Sequence, residues 1–147
     1  MNDFIETKSL KPWELLSAKS EDRAEASALL QDHFFSEIAF EQSHLALELA
    51  IKSALLRRGI SYPKDGSTGH DIKILSEITI EGGKSILAHI RTQDDANLRI
   101  IHNVVLSTLA WNMRFRYQEI PMEPETIEES IGYHLRLYVW IKEKFIK

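Results

Sequence analysis

The chain has 147 residues, 44% hydrophobic and 27% charged, with a formal net charge of −4. A chain of this length buries roughly 68–70% of the surface its unfolded form exposes, so it holds a real core, and the composition excludes wholesale disorder. Without cysteine there is no disulfide framework or thiolate metal site, and the acidic balance confines any nucleic-acid contact to a local basic patch.

The opening MNDFIETKSLK lacks the apolar segment of a signal peptide. No apolar run reaches the roughly 20 residues that a bilayer-spanning helix needs. The expectation is a cytoplasmic protein with no membrane partner. Pro12, Pro63, Pro121 and Pro124 and the six glycines cluster, cutting the chain into long helical stretches with short joints. One domain over 1–147 is expected, with its core over about 20–146 and residues 1–11 as a flexible lead-in.

Ser20 reads as the N-cap of a first helix, with Glu21 and Asp22 in its first turn. Ala24, Ala28, Leu29 and Leu30 would form its inner face up to about Phe35. A second helix is predicted from about Ser36 to Arg58. Its apolar positions, Phe40, Leu47, Ile51 and Leu55 among them, wrap nearly all the way round, as in a central helix with a narrow polar stripe at Glu41, Glu48 and Lys52. Arg57 and Arg58 in the last turn and Gly59 after it form a helix stop.

YPKDGSTG, residues 62–69, is a loop, after which His70 and Asp71 begin a short helix to about Ile78. ITIEGGKSI is read as two short helical pieces broken at Gly82-Gly83 rather than a hairpin, because no third strand is available to support one. Asp94 and Asp95 start a further helix ending near Arg114. In it Leu98, Ile101, Val105 and Leu109 recur at spacings of three and four. After the loop QEIPMEPE, Glu125 starts a last helix. Its inner face is Ile127, Ile131, His134 or Leu135, Tyr138, Ile141 and Phe145; its wet face is Glu129, Arg136 and Glu143. The fold class is therefore all-α, an antiparallel bundle of four to five main helices.

Taken in order, EDRAEASALL, HLALELAIKSALLRRG, GHDIKIL and RFRYQEIPMEPETIEESIGYHLRLYVWIKEKF resemble successive helices and turns of the HEPN family over about residues 20–146. The resemblance implies a helical bundle that often forms a homodimer. Some members are metal-independent ribonucleases of a toxin–antitoxin kind, and others partner a separate minimal nucleotidyltransferase. Ribonuclease members carry an arginine followed after four to six residues by a histidine, near the turn before the last helix. Here Arg114 and Arg116 occupy that region, but RFRYQEIPMEPE holds no histidine. The nearest pair, Arg99 and His102, lies on a helix with two residues between them. RNA cleavage without a metal needs a proton carrier titrating near neutrality together with a cation, and arginine alone supplies only the second.

The binding candidates are thus Arg99, His102 and Asn103 on one helical face, and Arg114, Arg116 and Tyr117 at the turn, which could hold a phosphate and stack a base. The plainer reading is a polar surface patch for the first group and a helix C-cap for the second. Among these, His102 and Arg99 are the catalytic candidates. His44 and Glu48, like Glu48 and Lys52, stand one helical turn apart, which reads as an ion-paired stripe more readily than as a metal site. His33, His89 and His134 are isolated, and the six histidines form no metal-ligand spacing. The reading is a non-catalytic, homodimeric interaction module that binds a nucleotidyltransferase partner or a nucleotide or RNA ligand, with no metal or cofactor. A metal-independent ribonuclease is the alternative, and a purely structural subunit is the third.

Overall fold

In the computed structural model, which describes residues 10–32, 36–63, 72–92, 98–99 and 124–147, the first long helix is α1 (Pro12–Asp32). It starts eight residues before the expected Ser20 cap. Pro12 suits a first helical position, where no backbone N–H is needed. Glu14, two residues further on, accepts the Lys11 backbone N–H at 3.2 Å, one arm of a capping box. Ser20 lies inside the helix and is 1% exposed, its hydroxyl donating to the Ala46 carbonyl. The inner face also differs from expectation. Ala28 and Leu29 are exposed, while Ser20 and Ser27 are buried.

The second helix, α2 (Ser36–Arg57), is the spine of the fold. Ala46, Leu47, Ala50, Ile51, Ala54 and Leu55 are each at most 1% exposed, as an apolar circumference predicts. Gly59 ends it with φ of 71°. Its N–H donates to the Leu56 carbonyl at 2.9 Å and that of Ile60 to the Leu55 carbonyl at 3.0 Å, the paired bonds of a Schellman stop. Glycine adopts this left-handed backbone without a Cβ penalty.

α1 and α2 run antiparallel, joined by three hydroxyl-to-carbonyl bonds of 2.7–2.8 Å: Ser53 to Trp13, Ser20 to Ala46, and Ser27 to Ala39. Positions 13, 20 and 27 on one helix meet 53, 46 and 39 on the other, both in steps of seven. That is the period of a helix seam, and serine and alanine along it let the backbones approach.

α3 (Ile72–Ser76) follows, then a hairpin of β1 (Thr79–Glu81) and β2 (Lys84–Ser85), then α4 (Ile86–Arg91). The two helical pieces expected at Gly82-Gly83 are thus corrected to an antiparallel hairpin pairing Thr79 with Ser85 and Glu81 with Lys84. Both glycines have positive φ (60° and 71°), which a two-residue turn needs to match strand twist. A third strand is unnecessary because the hairpin packs on the helical core: Ile80 on β1 is 4% exposed, in one cluster with Leu47, Ile51 and Leu55 of α2. Ser85 caps α4, accepting the Ala88 N–H at 3.1 Å.

α5 (Pro124–Ile141) passes into a short π-helical turn, Lys142–Ile146. The expected inner face is buried, and the alternative at its centre resolves to His134, fully buried, over half-buried Leu135. Ile127 and Ile131 pack with Ala39 and Phe40, His134 meets Ser43, and Phe145 lies beside Arg58. α5 therefore runs parallel to α2. Among the described residues, no helix is long and apolar enough to cross a membrane.

Candidate functional site

Polar side chains enter the interior on the side of α2 that faces α5 and Tyr62. Ser43 Oγ donates to the Phe40 carbonyl at 2.8 Å and stands 2.9 Å from His134 Nδ1. A hydroxyl has one proton. With that proton on the carbonyl, Nδ1–H of His134 donates to Ser43, and Nε2 carries the bare lone pair. Nε2 meets no hydrogen-bond partner among the described residues. The ring lies edge-on to Phe40 (5.1 Å between centroids) and to the buried His44 (5.8 Å). Desolvation pushes the His134 pKa down to about 3, so the ring is neutral at physiological pH. A fully buried, neutral imidazole cannot exchange protons with a substrate near pH 7. His134 is a packing residue with one satisfied nitrogen.

One turn beyond His44, Glu48 and Lys52 form the ion pair expected from their spacing, at 2.9 Å. It is an interior pair rather than a wet stripe: Glu48 is 3% exposed and Lys52 8%. The Lys52 ammonium also lies 5.4 Å from the Tyr62 ring centre. Burial raises the Tyr62 pKa, and the Glu48 carboxylate raises it further. Within the pair each charge is held by its partner.

Of the predicted site residues, Arg99 is exposed, next to buried Leu98. His102, Asn103, Arg114, Arg116 and Tyr117 lie outside the described residues, as do His33, His70 and Asp71. Among the described residues no group of three or more His, Asp or Glu could hold a metal ion.

A second polar region lies at the C-terminal end of α2. Arg58 donates to both the Phe145 carbonyl (2.7 Å) and Glu81 of the hairpin (3.2 Å). His89 sits edge-on to Phe145 at 5.3 Å, with Nε2 3.3 Å from the Glu81 carbonyl. One arginine and one phenylalanine thus tie α2, the hairpin, α4 and the C-terminal turn together. From the sequence alone His89 reads as isolated and Arg58 as a helix-end charge. Neither role has a local signal, since their partners lie far along the chain. The heptad match of Ser20 and Ser27 to Ala39, Ala46 and Ser53, by contrast, is visible in the sequence as a seven-residue spacing of small residues.

Residues 13–144 match the family model of the HEPN domain. No curated protein and no solved structure matches the chain.

Proposed function

Because the chain belongs to the HEPN domain family, whose members are associated with nucleotides and RNA and often dimerise, we propose that it is a non-catalytic, homodimeric interaction module that binds a nucleotidyltransferase partner or a nucleotide or RNA ligand. The family match over residues 13–144 carries this reading. Two features support the non-catalytic part. The stretch after Arg114 and Arg116 holds no histidine before Glu125. The described core histidine on the last helix, His134, is buried and neutral, and so cannot replace one. The candidate ligand face comprises Arg99, His102, Asn103, Arg114, Arg116 and Tyr117, in a cytoplasmic, single-domain protein.

The test is the native mass of the tagged protein purified from its own cells, with co-purifying protein and RNA identified. A dimer carrying a stoichiometric small nucleotidyltransferase or bound RNA supports the module. RNA cleavage by the purified protein in EDTA, abolished by Arg99→Ala and His102→Ala, would overturn the non-catalytic reading in favour of a metal-independent ribonuclease.

A further inference from the structure

Charge is unevenly divided along this acidic chain. α1, α2 and α5 together carry eleven Asp and Glu against five Lys and Arg. The segments 58–63, 72–92 and 142–147 carry seven Lys and Arg against three Glu. These segments include the hairpin, α4 and the C-terminal turn, drawn together around Arg58 and Phe145. Of the three acids, Glu81 is already engaged by Arg58, and Glu77 and Glu143 remain.

Lys84 on β2, Arg91 on α4, and Lys144 and Lys147 at the C-terminal turn are exposed. None of the four has an ion-pair partner among the described residues. Two further features suit a chain-like polyanion. Gly82 and Gly83 at the hairpin tip have open space where side chains would stand. Half-buried His89 and Trp140 both pack edge-on against Phe145, which puts aromatic rings at the same end of the bundle.

We propose that this end of the bundle, presenting Lys84, Arg91, Lys144 and Lys147, is a binding surface for the phosphate backbone of single-stranded RNA. The cations stand on three separate elements, which fits an extended strand better than a mononucleotide. Exposed lysine and arginine without ion-pair partners among the described residues, on elements gathered at one end of an otherwise acidic protein, are the electrostatic footprint of such a partner. The inference rests on the RNA-associated reading above and assigns it a surface separate from Arg99 and the Arg114–Tyr117 turn.

The experiment measures anisotropy of a fluorescent oligouridylate with the full chain across a salt series. Each phosphate contact to a single strand contributes about 0.7 to the slope of log K against log salt. The K84Q/R91Q/K144Q variant is expected to lower that slope by about 2 and to weaken binding roughly tenfold or more at low salt. A K11Q/K19Q variant at and just before α1, which also removes positive charge, is expected to bind as wild type does. Circular dichroism melting of each variant establishes that it is folded. An unchanged slope in the folded triple variant overturns the inference. If binding is lost instead in Arg99→Ala and Arg116→Ala, the RNA-associated reading survives and the surface assignment fails. A wild-type chain that ignores the oligouridylate, or binds only phosphatidylserine vesicles, also overturns the inference. The module reading would then stand on its co-purifying protein alone.

Discussion

The two faces of α2 use opposite devices to bury polar atoms. Toward α1, Ser20, Ser27 and Ser53 each place a neutral hydroxyl on a carbonyl of the facing helix. Toward α5 and Tyr62, the interior holds titratable groups: His134 against Ser43, and the Glu48–Lys52 pair. The first face is satisfied at any pH. The second depends on a neutral His134 and on the charge match of Glu48 with Lys52, so acid should act there through His134 and charge-removing substitutions through the pair. The cost of an unmatched buried charge greatly exceeds that of a lost neutral hydrogen bond.

The largest effect is expected at the buried pair. Lys52→Met removes the cation beside the buried Glu48 carboxylate, a loss of about 3–5 kcal/mol. Urea unfolding at pH 7 reads it, and a loss under about 1 kcal/mol would mean that the pair is solvated after all.

The histidine should make stability depend on pH. Its folded pKa, about 3, lies below the ordinary 6.5. Between these values the unfolded chain binds a proton that the folded chain refuses, so stability falls as pH drops through 6.5 and levels off below about 3. Each pH unit well inside that window costs about 1.4 kcal/mol, so from pH 6.5 to 5 the loss from this group approaches about 2 kcal/mol. His134→Leu should remove that part of the slope. Unfolding curves of both proteins at pH 7 and pH 5 check it, and equal slopes would show that His134 titrates normally.

On the opposite face, Ser27→Ala removes one hydroxyl bond and Ser20→Ala removes that to Ala46 together with a contact to the Tyr138 hydroxyl; each should cost about 1 kcal/mol or a little more, unchanged between pH 5 and 7. A pH-dependent loss in either would break the distinction between the faces. The smallest effect sharpens the contrast between ion pairs. Glu81, whose side chain is 46% exposed, pairs with Arg58 at 3.2 Å. Glu81→Gln should change the melting midpoint by no more than about 0.5 kcal/mol allows, because water screens the exposed pair.

Much of this contrast was legible in part. The Glu48–Lys52 pairing followed from helical spacing, but its burial did not, since a sequence gives the side of a helix and not what lies against it. The choice between His134 and Leu135 was open because both fall near one face of α5, and the Ser43 hydroxyl and Phe40 ring that favour His134 come from another helix. Of the candidate site, Arg99 alone has a described position.

What the sequence determined by itself was the helical class, the span of α2 with its Gly59 stop, and the buried face of α5. Periodicity and capping are local, and each is encoded within a few turns of chain. The tertiary structure decided the rest. It placed Ser20 inside α1 against Ala46, folded residues 79–85 into a hairpin on a helical core, and gathered separate basic segments around Arg58 and Phe145. Each outcome depends on partners distant in the chain, whose packing overrides the weak preferences of a serine or a pair of glycines.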